Sequence, residues 1–265
     1  MMYEVGNRGY WVEEEGQGEP LLLLHGFTGS TKTFHSMLEH LTGNYRIIKI
    51  DLPGHGRTGS IGKVSMERFC RDLAALLEKM DITSVTLLGY SLGGRAALSF
   101  AMLYPLHVER IILESASPGL ATTEEQLSRQ AKDQALAGMV QKEGLESFVS
   151  YWENIPLFQS QSRLPDDAKK ALRQERLNQT AEGLSNSLLG MGTGHQPSWW
   201  EQLPSLRQPV MLITGQEDRK FQLINQKMYE ELPNASWQQV EDAGHTVHLE
   251  KPKIFAKIVD GFMIE

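Results

Sequence analysis

Short apolar runs and amphipathic stretches take turns along most of this chain. Residues 10–14, 21–25 and 45–51 are β-rich or apolar runs closed by glycine or proline, which predicts strands, the last two buried on both faces. Residues 65–80 instead carry Met66, Phe69, Leu73, Leu76, Leu77 and Met80 at helical spacing. A strand is expected at 84–88, a helix at 94–104 stopped before Pro105, and further strands at 108–113, 210–214 and 236–240. Strands alternating with helices define an α/β protein with a doubly wound, mostly parallel sheet.

The alternation breaks between about Pro118 and Arg207, where helical patterns run through 124–142, 145–152, 166–179 and 183–189. Because the strand–helix rhythm resumes at Gln208, this stretch is expected to be an inserted helical cap over residues 118–205, with residues 1–117 and 206–265 forming the core. A separate helical domain is the rival arrangement. A length of 265 residues suits one core plus such an insertion.

Composition narrows the function more than the fold. A hydrophobic fraction of 40% and a charged fraction of 22% are ordinary for a globular protein. A formal net charge of −7 argues against nucleic acid as a partner, while leaving room for a few arginines to gather around an anionic ligand. The single cysteine, Cys70, falls within a helical pattern and reads as a small buried residue. With no basic, apolar leader at the N-terminus and no apolar run long enough to cross a membrane, a cytoplasmic location without membrane insertion is expected.

Gly89-Tyr90-Ser91-Leu92-Gly93 fits G-x-S-x-G, which is a weak signal by itself. Its setting strengthens it, since a buried strand ends just before it and a helix begins within it. Flanking glycines there permit a tight turn that exposes a strained serine. A serine hydroxyl is a poor nucleophile or base at neutral pH, so it needs a histidine to take its proton and an acid to orient that histidine. His245, in a glycine-containing loop after the last strand, is the leading histidine, with His248 as rival; His35, His40, His107 and His195 read as surface or packing residues. Asp218 follows the strand at 210–214 and preserves the chain order Ser, Asp, His; Glu114 and Glu217 are alternative acids. Backbone N–H groups of Leu92 and of Phe27, in the His25-Gly26-Phe27 turn, are expected to stabilise developing negative charge. Pro53-Gly54-His55-Gly56 reads as a structural turn. No cluster with metal-ligand spacing stands out, and neither a metal nor another cofactor is expected.

Taken together, these pieces resemble the α/β-hydrolase superfamily along nearly the whole chain. More closely, Gly89-Tyr-Ser-Leu-Gly-Gly-Arg95, Gly190-Met-Gly-Thr-Gly-His-Gln-Pro197 and Asp218-Arg-Lys-Phe221 resemble the 2-succinyl-6-hydroxy-2,4-cyclohexadiene-1-carboxylate (SHCHC) synthases of menaquinone biosynthesis. That resemblance implies a lyase that eliminates pyruvate from a small polycarboxylate, 2-succinyl-5-enolpyruvyl-6-hydroxy-3-cyclohexene-1-carboxylate, with Ser91 acting as a base. It also implicates Tyr90, Arg95, Arg129, Trp152 and Arg176 in binding substrate, with Arg173 able to replace Arg176 one helical turn away. Lys220 and Phe221, close behind the acid, are expected to line the site. Each has a bland alternative: the arginines could solvate helix faces, and Trp152 could be cap core. A serine hydrolase of esters or of carbon–carbon bonds in diketone-like acids remains the competing function.

Overall fold

The computed structural model describes residues 1–264. The apolar runs lie side by side in an eight-stranded sheet comprising β1 (Met2–Val5), β2 (Arg8–Gly16), β3 (Glu19–Leu24), β4 (Tyr45–Ile50), β5 (Val85–Tyr90), β6 (Val108–Glu114), β7 (Val210–Gly215) and β8 (Ala235–Val240). Their spatial order is β1-β2-β4-β3-β5-β6-β7-β8. The β1–β2 and β2–β4 pairs are antiparallel and all later pairs are parallel.

Ten helices accompany the sheet: α1 (His35–Leu38), α2 (Met66–Lys79), α3 (Leu92–Leu103), α4 (Thr123–Glu143), α5 (Leu145–Trp152), α6 (Asp166–Leu177), α7 (Ala181–Met191), α8 (Arg219–Glu231), α9 (Val247–Glu250) and α10 (Pro252–Ile264) among the described residues, with α1–α3 and α8–α10 packed on its faces. The two-residue period of a strand sorts the core into two layers. Leu22, Leu24, Leu87, Ile111, Leu113 and Leu212 pack with α2, α3 and α8. Their neighbours Leu21, Leu23, Leu88, Ile112, Met211 and Ile213 pack with α9 and α10 on the other face. Each such leucine, removed from water, contributes on the order of 2 kcal/mol, in keeping with the apolar runs at the middle of the central strands.

One strand departs from expectation. β4 is not buried on both faces throughout, because Arg46 and Lys49 are only half-buried and pair with Glu14 and Glu15 of the adjacent β2. β1 has no counterpart in the sequence reading, being four residues with a single buried side chain.

The helical stretch leaves the sheet after β6 and returns at β7. Thr122 opens α4 with a capping box shared with Glu125, and Gly144, at a φ of 83°, turns the chain into α5. Val140, Phe148, Val149 and Leu184 form a small apolar cluster within this stretch, against which Phe27 from the core also packs. Among the described residues, no helix is long and apolar enough to cross a membrane, and no group of three or more His, Cys, Asp or Glu could hold a metal ion.

Candidate active site

The parallel strands deliver their following loops to one edge of the sheet. Leu24 pairs with Gly89, Gly89 with Leu113, Glu114 with Ile213, and Gly215 with Val240, so the turns after β3, β5, β6, β7 and β8 emerge together. Four of these turns contain a non-glycine residue at positive φ: Thr28 at 70°, Ser91 at 51°, Ser115 at 47° and Asp242 at 50°. Such conformations cost about 1–3 kcal/mol each and persist only where packing enforces them. At Ser91 the enforcement is visible, since a Cβ on Gly93 would meet the Leu24 carbonyl oxygen at 1.9 Å and one on Gly89 would meet the Gly93 carbonyl oxygen at 2.4 Å. The elbow is pressed onto β3 with room only for glycine at both positions.

Ser91 sits where a helix cap would, yet its side chain caps nothing. Its Oγ lies 3.1 Å from His245 Nε2, and His245 Nδ1 lies 2.6 Å from Asp218 Oδ2. A carboxylate only accepts, so Nδ1 carries the proton and Nε2 keeps the lone pair that receives the serine hydroxyl. Asp218 is buried and also accepts the Phe221 N–H at 3.3 Å. The imidazole is 1% exposed and is walled by Tyr90, Phe158 and Phe221, which leaves it one productive orientation.

The rival acid and rival histidine pair with each other. His248 donates through Nδ1 to Glu114 Oε2 at 2.7 Å, and its backbone N–H donates to Glu114 Oε1 at 3.0 Å. This second buried pair lies behind Tyr90, whose ring centroid is 4.8 Å from that of His248. Glu217 is at the surface, paired with Arg163.

Ser91 opens into a cavity of about 590 Å³ lined by Phe27, Tyr90, Leu92, Arg95, Arg129, Trp152, Lys220, Phe221 and His245, among others. Among the described residues the backbone N–H groups of Phe27 and Leu92 have no partner in the protein. Arg95 is buried and held by the Met191 carbonyl at 2.8 Å and Gln196 Oε1 at 3.0 Å. Burial, and then the neighbouring Arg129, lower its pKa to about 9. A cation so placed is improved by an incoming anion. Arg129 is aimed by Asp133 at 2.7 Å, and Asp133 also accepts the Gly194 N–H at 3.3 Å. Thus the 190–197 segment shapes the cavity by holding Arg95 directly, through the Met191 carbonyl and Gln196, and Arg129 indirectly, through Asp133. Burial likewise lowers the Lys220 pKa, with Arg129 adding to the effect. Trp152 stacks on Phe148 and meets Phe27 and Phe158 edge-on, while its buried Nε1–H lacks a partner. The tryptophan therefore both packs within the helical stretch and walls the cavity.

Arg176 does not share this cavity. It lines a neighbouring chamber of about 560 Å³ that shares Phe27, Tyr90 and Phe158 with the first. There it is buried, bonds Gln161 Oε1 at 3.0 Å, and has an unpartnered Nε–H. Arg173 turns away to Glu153 and Ser150. Tyr90 lines both chambers, and burial followed by the Glu114 charge raises its pKa well above the ordinary value, so its hydroxyl keeps its proton. Ser115 was not anticipated: its buried hydroxyl has no partner and faces the first cavity. The one available signal was its position directly after β6, at the sheet edge where such loops gather.

A sheet of this order, with a strained serine elbow after β5 and an acid and a histidine after later strands, defines a class of enzyme scaffold. The chain belongs to the alpha/beta hydrolase fold family, whose profile matches residues 19–252. It is 46% identical over 259 residues to a Bacillus subtilis protein provisionally named as an SHCHC synthase, covering 96% of this chain and 94% of that protein. To the SHCHC synthase of Salmonella agona it is 31% identical over 240 residues, 91% of this chain and 90% of that enzyme. Among solved structures it is similar to MenH from S. aureus, at a TM-score of 0.91 and 36% identity, with 96% and 97% of the two chains covered. Within the alpha/beta hydrolase fold, the chain falls in the SHCHC synthase family.

Proposed function

We propose that this chain is an SHCHC synthase, a lyase of menaquinone biosynthesis that eliminates pyruvate from 2-succinyl-5-enolpyruvyl-6-hydroxy-3-cyclohexene-1-carboxylate. The observation that carries the reading is the Ser91–His245–Asp218 chain of hydrogen bonds opening into a cavity that holds the buried Arg95. The names of substrate and product dictate the chemistry. A ring C–H beside the succinyl carbonyl is lost, the ring double bond shifts, and the bond from carbon to the enolpyruvyl oxygen breaks.

On this reading His245 accepts the Ser91 hydroxyl proton, and the serine oxygen removes the acidic ring proton. Asp218 stabilises the imidazolium that results. Negative charge gathers on the succinyl carbonyl oxygen, where the Phe27 and Leu92 N–H groups donate to it. Collapse of this enolate breaks the carbon–oxygen bond and expels pyruvate as its enolate, which takes up one proton to become pyruvate as the His245 imidazolium gives up one, so the triad is restored. No acyl-enzyme forms. Arg95 meets a substrate carboxylate, with Arg129 and Lys220 adding positive potential around the cavity and Tyr90, Trp152 and Phe221 shaping it. Arg176, across the Tyr90 wall, serves an arm of the substrate that reaches the neighbouring chamber. Residues 118–205 act as the cap over a core of 1–117 and 206–265, supported by the separate apolar cluster in that stretch. The enzyme works on a small molecule, in the cytoplasm, without nucleic acid.

The test is incubation with the enolpyruvyl substrate and, separately, a nitrophenyl ester. Rapid pyruvate release, slowed when the abstracted ring proton is deuterium, is the expected result. Rapid ester cleavage without pyruvate release, with acyl-Ser91 trapped on quenching, would mean a hydrolase instead.

A further inference from the structure

We infer that Gln179, in the turn that follows α6, is a positioning residue for the Phe27 N–H. The inference rests on the reading of that group as an oxyanion donor. The aim of the Phe27 N–H is decided by the backbone of residues 25–29, which crosses the sheet edge as an irregular turn with Thr28 at a φ of 70°. One hydrogen bond within the turn, from the Gly29 N–H to the Gly26 carbonyl at 3.0 Å, closes it, yet a threonine at that φ is strained. A further hold comes from outside the turn.

The side chain of Gln179 supplies that hold. Its Nε2 donates to the Thr28 carbonyl at 3.2 Å, the Gly29 carbonyl at 3.0 Å and the Glu175 carbonyl at 3.3 Å. Its Oε1 accepts the Gly56 N–H at 2.8 Å. One buried amide thus ties the 25–29 turn to the 53–56 turn. The same two turns are cross-linked by histidines: His55 Nε2 accepts the Thr28 N–H at 3.1 Å and His25 Nε2 accepts the Leu52 N–H at 2.9 Å. Thr28, the residue next to the donor, is therefore fixed at both its N–H and its carbonyl. An uncharged amide is the group this position calls for, because glutamate has no donor for the two carbonyls and asparagine is one methylene too short to span both turns. Gln179 lines neither cavity and so does not touch substrate. Its effect on catalysis passes through the backbone of the turn.

The experiment compares Gln179→Met and Gln179→Glu with the wild type in pyruvate release, and records the backbone amide resonances of Phe27 and Thr28. Losing a whole oxyanion donor costs about 10²- to 10³-fold, so misaiming one is expected to lower kcat about 10- to 100-fold with KM within about threefold. The Phe27 and Thr28 resonances should shift while most others stay. Unchanged kcat with unmoved resonances overturns the inference, as does a fall in kcat with Phe27 unmoved. A displaced Phe27 resonance with unchanged kcat overturns the oxyanion assignment, and the inference with it. If Gln179→Met does not fold, Gln179→Asn keeps the polar head and must still lower kcat. If the wild type releases no pyruvate, the lyase reading has failed separately, and the same comparison is made with nitrophenyl ester cleavage.

Discussion

Acid should loosen this protein through a histidine that plays no part in proton transfer. His25 is 1% exposed, its Nδ1 lies 2.7 Å from the Gly26 carbonyl and its Nε2 lies 2.9 Å from the Leu52 N. A carbonyl only accepts and an N–H only donates, so the ring is neutral with its proton on Nδ1 and both nitrogens satisfied. Protonation would set a second N–H against the Leu52 N–H and bury a charge. Burial holds its pKa down to about 4, against an ordinary 6.5. The unfolded chain therefore binds the proton first as pH falls. Stability from the neutral ring is complete above pH 6.5 and is lost between 6.5 and 4. At 1.36 kcal/mol per pKa unit, the loss is about 1 kcal/mol at pH 6, about 2 at pH 5 and about 3 near pH 4. A globular domain has only about 5–15 kcal/mol in total, so the effect is large. Urea unfolding of the wild type and of His25→Gln at pH 7.5, 6, 5 and 4 isolates it, since most other titrations cancel in the difference. The wild type should lose about 3 kcal/mol relative to the variant across that series. A gap that stays flat or moves the other way would refute the reasoning. His55, 5.0 Å away ring to ring, is held neutral by burial and then by His25, and its own titration steepens the acid loss in the wild type.

Ser91→Ala should lower turnover about 10³-fold or more while substrate binding, measured calorimetrically, is largely kept, because the reactive oxygen is removed and the arginines remain. Asp218→Asn should cut kcat by a similar factor through the wrong imidazole tautomer, with little change in KM. Glu114→Gln should act oppositely, costing roughly 1–3 kcal/mol of unfolding free energy by uncoupling the buried His248 pair, while kcat stays within about tenfold; a larger kcat loss than for Asp218→Asn would exchange their roles. Arg95→Ala should weaken pyruvate release from the polycarboxylate far more than cleavage of a small neutral ester, and equal effects would remove the arginine from substrate recognition.

Much of the candidate site is legible along the chain because its parts are loops that follow strands. An apolar run, a glycine-flanked serine and a following helix are short-range features, and parallel pairing then gathers every such loop at one edge. Ser91, Asp218 and His245 could be picked out on those grounds, and the helices of 118–205 were readable from periodicity within a few residues of their ends. Gln179 gave no such signal. It follows a charged helix, and its partners Thr28 and Gly56 lie 151 and 123 residues away.

The amino-acid sequence by itself determined the succession of strands from β2 to β8, the serine elbow and the chemical types available at the sheet edge, because each depends on neighbours within a turn or a strand. Tertiary structure alone decided which of two arginines a turn apart is buried, since Arg176 faces the Phe27–Tyr90–Phe158 wall and Arg173 faces Glu153. It alone showed that the alternative acid Glu114, at the end of β6, is taken up by the alternative histidine His248, leaving Asp218 to His245. These outcomes turn on which side chains meet between separate elements, 20 residues apart for Arg173 and Glu153, 27 for Asp218 and His245 and 134 for Glu114 and His248, and periodicity carries no record of such meetings.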